Sequence, residues 1–183
     1  MTDDSSEGPI SYYVYPKAYL SHFQIPPFGR WLTNNHRSMA DALPPLPADA
    51  RILEVGSGPG QFTRQLARSY PKANIVAIDS SRGMVRFSRR DGTPDNVEFR
   101  ITDFRDVEGV YDLIVGSGCW EFLPLDRCID QIERLLAPDG VAVINTIGPT
   151  LWARTHQLFF ALAFRARVRL FLPGAVEDAL VRR

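Results

Sequence analysis

From residue 51 onward the chain alternates short apolar runs with longer helical patterns, and this alternation restricts the fold more than any other feature. Five runs rich in Val and Ile, flanked by Gly, Asp or Pro, are typical of buried strands. They cover residues 52–55, 75–78, 97–101, 113–115 and 141–145. Three helical patterns lie between them, at residues 61–69, 81–90 and 125–136. The alternation predicts an α/β fold with a mostly parallel sheet and helices on both faces.

The flanking segments divide the chain around this central domain of residues 51–150. Residues 1–9 are acidic and polar and are predicted to be a disordered tail. Residues 10–50 are rich in aromatics and prolines, which predicts an N-terminal cap containing one helix over about residues 28–43. Two interpretations of the cap are open: packing against the core, or a lid or wall of an acceptor pocket. Residues 151–183 are predicted to be a C-terminal helical segment of the same domain.

Composition narrows the function classes. The 183 residues carry 21 basic and 21 acidic side chains, so no overall field favours nucleic acid. Two cysteines are too few for a disulfide scaffold, and no Cys/His metal pattern is visible. The start is acidic rather than basic and apolar, and the apolar run 158–164 is far shorter than the roughly 20 residues of a membrane span. We therefore expect a cytoplasmic protein. The apolar, arginine-rich residues 151–172 fit a helix that covers the sheet or one that touches an anionic membrane surface.

The strongest single motif is a glycine-rich turn between the first strand and the first helix of the central domain. Gly56, Gly58 and Gly60 permit backbone angles that other residues avoid, and they let the backbone approach a ligand at a helix N-terminus. The third glycine comes one residue earlier than in the dinucleotide fingerprint. Glu54 precedes the first glycine by two residues, and a carboxylate there favours a cationic ligand over a pyrophosphate such as that of NAD.

The run ILEVGSGPGQF at residues 52–62 resembles the first motif of class I S-adenosylmethionine-dependent methyltransferases. Four further segments resemble later motifs of that family in the same order: residues 79–84, 102–104, 111–117 and 135–141, the last including a tight turn predicted at 137–140. The resemblance covers about residues 50–147 and is closest to the small-molecule and lipid-quinone methyltransferases. It implies a Rossmann-like three-layer sandwich with strand order 3-2-1-4-5.

The resemblance also implies where S-adenosylmethionine would bind. The glycine loop would pass beneath the methionine part, and Glu54 would support the ammonium group directly or through water. The residues lining this side would be Gly56, Ser57, Gly58, Gly60, Gly116 and Ser117, with Ser117 and Gly116 also beginning the acceptor pocket.

On the adenosine side, Asp79 would accept hydrogen bonds from both ribose hydroxyls, with Ser80 beside it at the family's spacing. Asp103 would accept from the adenine amino group, and Met84 and Phe104 would lie against the ring. Local explanations are open for each residue taken alone, because an acid can cap a turn and a methionine can simply fill the core. The three acids at three neighbouring strand ends favour the ligand interpretation when taken together.

No catalytic residue is singled out by spacing. Methyl transfer in line from a sulfonium depends mainly on orientation and exclusion of water. The candidates for a base are His22, His36, Glu121 and the tyrosines of the cap. Residues 116–122 lack the Asn/Asp-Pro-Pro-aromatic motif of enzymes that methylate nucleic-acid or glutamine amino groups, and no lysine lies where a metal-dependent catechol-type site would need it. A small organic or lipid-like acceptor is therefore the predicted substrate, with Trp120 and Phe122 as pocket walls or core.

The family's final β-hairpin is predicted to be missing, because the chain ends within a segment that resembles the helix before the sixth strand. An open edge at the fifth strand would then need a cover. Three explanations are open: residues 151–172 cover the edge, a homodimer completes it, or the chain is truncated. Two rival functions accompany the methyltransferase interpretation: a non-catalytic methyltransferase-like binding partner, and an NAD-binding oxidoreductase.

Overall fold

The computed structural model describes residues 28–90 and 92–146, together with isolated positions on either side (17, 20, 21, 24–26, 148, 150, 153, 154 and 157). The predictions for the tail at 1–9, for the cap residues before 17, for His22 and for residues 158–183 lie outside the described residues. Among the helices that are described, none is long and apolar enough to cross a membrane.

Five parallel strands form one sheet in the order β3-β2-β1-β4-β5, which confirms the predicted topology. Their bounds are β1 Arg51–Val55, β2 Asn74–Asp79, β3 Val97–Ile101, β4 Tyr111–Gly116 and β5 Leu136–Ile144. The change in connection direction between β1 and β4 makes this the switch point of the sheet. In open parallel sheets, ligands bind at the carboxyl ends of the strands on either side of that point.

Within residues 28–90 and 92–146, four α-helices connect or cap the strands. Their bounds are α1 Phe28–Asp41, α2 Gln61–Ser69, α3 Arg82–Ser88 and α4 Leu125–Leu135. Short 3-10 turns occupy Phe104–Asp106 and Trp120–Phe122. The predicted cap helix over 28–43 is thus confirmed to within two residues, and it ends before the prolines that follow.

The core has two layers, one on each face of the sheet, because successive strand residues point to opposite faces. Ile52 and Leu113 pack with α1, α2 and α3 residues such as Leu66, whereas Leu53 and Ile114 pack with the α4 side. This arrangement confirms the three-layer sandwich. Each of these four strand residues is fully buried, which explains why the strand signal is a continuous apolar run rather than an alternating one.

The predicted start of β5 at residue 141 is wrong. The strand begins at Leu136, and its register against β4 shifts between the pairs Tyr111–Leu136 and Leu113–Val141. Residues 137–140, predicted as a turn before the strand, form an irregularity within it. Gly140 approaches Ala137 so closely that an added Cβ would lie 3.0 Å from the Ala137 nitrogen. A turn-like sequence is therefore accommodated as a bulge in a paired strand.

Candidate functional site

The carboxyl edge of the sheet brings together the three acids predicted for the site. In the β1–β2 register, Val55 pairs with Ile78, so Glu54 and Asp79 lie at the ends of adjacent strands. Asp79 in turn pairs with Ile101 on β3, and Asp103 follows two residues later. Glu54 and Asp79 are close enough for the charge of Asp79 to raise the pKa of Glu54.

The glycine loop leaves β1 with a backbone that only glycine adopts readily. Gly56, Gly58 and Gly60 have φ angles of 70°, 52° and 81°. The Ser57 N–H donates to the Ile78 carbonyl at 2.9 Å, and the Gly60 N–H donates to the Ser57 carbonyl at 2.9 Å. The loop therefore folds as a tight turn fastened to β2 before α2 begins.

Asp79 fastens the same loop through its side chain. One carboxylate oxygen accepts from the Gly58 N–H at 2.8 Å, and the other accepts from the Ser81 N–H at 2.8 Å. Burial raises the pKa of Asp79, although these two hydrogen bonds oppose the rise. Each oxygen of a carboxylate can accept a second hydrogen bond. Asp79 can consequently hold the loop and still accept from two hydroxyl groups of a ligand.

The three glycines differ in what surrounds them. An added Cβ at Gly56 would lie 2.5 Å from the Cys119 Cβ, and one at Gly60 would lie 2.6 Å from Nη1 of Arg64. At Gly58 an added Cβ would meet no atom of the described residues within 4 Å. The outer two glycines are thus packed against described side chains, whereas a Cβ on the buried Gly58 would meet none of them.

Glu54 is a buried carboxyl group with an unsatisfied oxygen. The residue is 2% exposed, and Oε2 has no hydrogen-bond partner within the described ranges. Burial raises the pKa of Glu54 to about 8, with the nearby Thr63 hydroxyl opposing the rise and Asp79 adding to it. Burying an ionisable group without a partner is unfavourable unless something else supplies the missing interaction. The arrangement fits a cationic or hydrogen-bond-donating ligand.

A second buried carboxyl, Glu121, lies on the other side of the switch point. It is 3% exposed, its Oε2 is without a partner in the described part of the chain, and burial raises its pKa to about 7. A Cβ added at Gly118 would lie 3.9 Å from Oε1 of Glu121 and 3.9 Å from the ring edge of Trp31 on α1. Glu121 and the cap helix therefore both approach Gly118. Of the other base candidates, His36 is neutral at pH 7 because burial lowers its pKa to about 4, and its ring lies 5.2 Å from that of Phe62.

The cap helix contacts the residues after β4. Nδ2 of Asn35 on α1 donates to the Ser117 hydroxyl at 3.3 Å. Gly116 accepts at its carbonyl from the Trp120 indole N–H at 2.8 Å, which places the ring against the strand end. Trp120 is fully buried, so it belongs to the core rather than to an open pocket wall. Ser117, half-buried beneath α1, is the residue that joins the cap to the candidate site.

Asp103 has a local structural role. Its Oδ1 accepts from the Arg105 N–H at 2.9 Å, capping the first 3-10 turn, and its Oδ2 lies 2.8 Å from Nη2 of Arg105. The Arg105 guanidinium lowers the pKa of Asp103. Phe104 packs edge-on against Trp120 with ring centroids 5.6 Å apart, and Met84 is fully buried. The structure thus brings Asp103 to the edge of the sheet and places the Met84 and Phe104 side chains in the core.

Gln131 positions the segment that carries Asp103, and sequence analysis missed it. Its Nε2 donates to the carbonyls of Phe104 and Val107, both at 3.0 Å. Nη2 of Arg134 donates to its Oε1 at 2.6 Å. The signal that could have identified Gln131 is its place on α4, where it interrupts an apolar stripe of buried residues at helical spacing: Cys128, Ile132 and Leu135.

Gln131→Leu should therefore lower the free energy of unfolding by about 1–3 kcal/mol, because two buried hydrogen bonds worth about 0.5–1.5 kcal/mol each are lost. The two carbonyls keep longer hydrogen bonds, from the Val107 N–H and from Nη2 of Arg134, each at 3.3 Å. Urea unfolding would measure the change. The exposed Arg127→Gln variant on the same helix is the control and should change stability by less than about 0.5 kcal/mol. A Gln131→Leu protein as stable as the parent would contradict the role given to this side chain.

The region of the chain that carries the candidate site is similar to known proteins. Residues 52–140 match a family profile described as "Methyltransferase domain". A malonyl-[acyl-carrier protein] O-methyltransferase of Priestia megaterium is 32% identical over 111 residues, covering 59% of this chain and 40% of the relative. A Geobacter sulfurreducens protein of the same description is 37% identical over 106 residues. The chain thus spans about two fifths of the length of these relatives.

Solved structures share the fold at low sequence identity. The cyclopropane synthase MmaA2 of Mycobacterium tuberculosis has a TM-score of 0.67 at 19% identity, covering 88% of this chain and 64% of its own. The geranyl diphosphate C-methyltransferase of Streptomyces coelicolor, solved with S-adenosyl-L-homocysteine, has a TM-score of 0.68 at 14% identity, covering 85% and 59%.

Proposed function

Because the chain belongs, through residues 52–140, to the class I S-adenosylmethionine-dependent methyltransferases, we propose that it methylates a small organic or lipid-like acceptor. Two observations carry the proposal: the Asp79 carboxylate holds the glycine loop at the Gly58 N–H, and the neighbouring strand carries the buried, unsatisfied Glu54 carboxyl. These groups match a ligand with an ammonium group and vicinal hydroxyls. Two carboxyl groups beside the loop disfavour a pyrophosphate, and hence an NAD-dependent oxidoreductase.

The cofactor, when bound, supplies a methyl group activated by a positively charged sulfur. The protein's own contribution is to bind and orient. We propose that Glu54 accepts from the ammonium group and that Asp79 accepts from the ribose hydroxyls. The remaining residues proposed to line the cofactor are Gly56, Ser57, Gly58, Gly60, Ser80, Asp103, Gly116 and Ser117. Met84 and Phe104, whose side chains are buried in the core, are left out of this set.

The acceptor class rests on two supports. Residues after β4 carry no Asn/Asp-Pro-Pro-aromatic motif, and the chain's charge is balanced. The relatives are named for malonyl groups on a carrier protein, and two structural neighbours for mycolic acid or geranyl diphosphate chemistry. The named groups are organic or lipid in each case, and the malonyl group is carried on a protein. We propose that α1 is a lid over this acceptor, since Asn35 contacts Ser117 at the proposed cofactor site. We also propose a cytoplasmic location, with membrane contact through residues 151–172 and homodimer formation as further hypotheses.

Isothermal titration with S-adenosylhomocysteine tests the site. Asp79→Asn should weaken binding roughly ten- to hundredfold, because hydrogen bonds to a charged acceptor contribute about 1.5–3 kcal/mol. Gly58→Leu should weaken it at least as much, because a leucine would strain a backbone with a φ of 52° and crowd the N–H that Asp79 binds. The exposed Asp95→Asn variant is the matched control and should bind as the parent does.

The same titration separates the rival functions. NADH should not bind the parent protein, whereas S-adenosylhomocysteine should also raise its melting temperature. Parent-like affinity in both Asp79→Asn and Gly58→Leu would refute the site, and binding of NADH in preference to S-adenosylhomocysteine would favour the oxidoreductase.

A further inference from the structure

Arg64, on the first turn of α2, links the glycine loop to the segment that follows α3. Its Nη1 donates to the carbonyls of Pro59 at 3.3 Å and Gly60 at 2.9 Å. Its Nη2 donates to the carbonyls of Ser88 at 2.6 Å and Gly92 at 3.1 Å. One planar guanidinium thus connects four backbone carbonyls from two separate stretches of chain.

The contact with the loop is close because Gly60 has no side chain. An added Cβ at Gly60 would lie 2.6 Å from Nη1, so the guanidinium occupies the room that the glycine leaves. Within the described ranges no carboxylate forms an ion pair with Arg64. Its four hydrogen bonds given above go to backbone carbonyls, which fixes the position of the backbone.

A loop with three residues at positive φ has unusual freedom when unfolded, and restraining it beforehand reduces the entropy lost on binding. We propose that Arg64 is a positioning residue that holds the carboxyl half of the glycine loop in its cofactor-binding shape. The inference rests on the proposed function, in which this loop lies beneath the methionine part of the cofactor. Arg64 donates to two carbonyls at the end of the loop, so its effect should be confined to the part of the ligand that lies over the loop.

The test compares two ligands on the full chain by isothermal titration. S-Adenosylhomocysteine carries the amino-acid part, whereas 5′-methylthioadenosine lacks it and retains the ribose and adenine. Arg64→Ala should weaken binding of S-adenosylhomocysteine roughly tenfold through lost preorganisation and change the affinity for 5′-methylthioadenosine less than about threefold. Arg64→Lys keeps the charge but loses the fork geometry and should give an intermediate result.

The matched control is Arg68→Ala, one helical turn further along α2, where the side chain is exposed and forms no ion pair in the part of the chain described. It should leave both affinities unchanged. Equal losses for the two ligands in Arg64→Ala, or no loss for either, would overturn the inference. If Arg64→Ala does not fold, Arg64→Lys alone tests the inference. Its affinity for S-adenosylhomocysteine should then fall more than its affinity for 5′-methylthioadenosine. A parent protein that binds neither ligand would instead refute the proposed function itself.

Discussion

Replacing Glu54 by glutamine should stabilise the unliganded protein at pH 8 and weaken its binding of S-adenosylhomocysteine. The pKa of this carboxyl rises from 4.5 to about 8 on folding, chiefly through burial. Between these two pH values the folded protein holds a proton that the unfolded chain has released. Stability therefore falls as pH rises through this interval and levels off above pH 8.

The expected size of this effect is large. Each pH unit between the two pKa values costs about 1.4 kcal/mol, so the whole interval costs about 5 kcal/mol at most. Glutamine has no such titration, so Glu54→Gln should gain stability relative to the parent as pH rises from 5 to 8. Glu121, whose pKa burial raises to about 7, contributes to both proteins and cancels in the difference. Urea unfolding at several pH values measures the two curves.

Binding should change in the opposite direction. An ionised Glu54 attracts the ligand's ammonium group, and glutamine offers only a neutral oxygen, so affinity at pH 8 should fall roughly tenfold or more. The exposed Glu108→Gln variant is the control. It should change neither the dependence of stability on pH nor the affinity for S-adenosylhomocysteine. Parallel stability curves for the parent and Glu54→Gln would contradict the buried, proton-holding carboxyl. A residue that destabilises the empty fold but strengthens binding is what a functional site requires.

Much of the fold could be predicted because the strands are buried on both faces. Their Val- and Ile-rich runs stand out locally, and the predicted bounds 97–101 and 61–69 coincide with β3 and α2. The start of β5 could not be predicted, since Ala-Pro-Asp-Gly at 137–140 has the composition of a free turn. What keeps those residues in the strand is pairing with β4, a contact between segments about 25 residues apart.

The site could be predicted as a set of positions but not as a set of contacts. The order of motifs placed Glu54, Asp79 and Asp103 at neighbouring strand ends, as found. The hydrogen bond from Gly58 to Asp79 joins residues 21 apart, and that from Arg64 to Gly92 joins residues 28 apart. Such contacts depend on how the elements pack, which no local pattern encodes. A local pattern likewise does not show that the Glu54 carboxyl lacks a hydrogen-bond partner.

Gly56→Ala should be far more damaging than Gly58→Ala, although both residues belong to one loop and both have positive φ. A non-glycine residue in this backbone region costs about 1–2 kcal/mol. That strain is the cost expected for Gly58→Ala, since its Cβ would meet no atom of the described residues within 4 Å. At Gly56 the new Cβ would lie 2.5 Å from the Cys119 Cβ, and overpacking adds about 1–3 kcal/mol. The expected total is about 2–5 kcal/mol, measured by urea unfolding.

Substitutions at Cys119 would identify which of its atoms clashes with the Cβ added in Gly56→Ala. Removing its Cβ in the double variant Gly56→Ala/Cys119→Gly should relieve the clash, leaving mainly the backbone strain and the ordinary effect of the Cys119→Gly change. Gly56→Ala/Cys119→Ala keeps the Cβ and removes only the sulfur, so it should show much less coupling. Equal rescue by both double variants would mean that the sulfur, 3.1 Å from the added Cβ, is the obstacle. Equal costs for Gly56→Ala and Gly58→Ala would mean that backbone strain alone requires glycine here, and that the loop does not depend on close packing against the segment after β4.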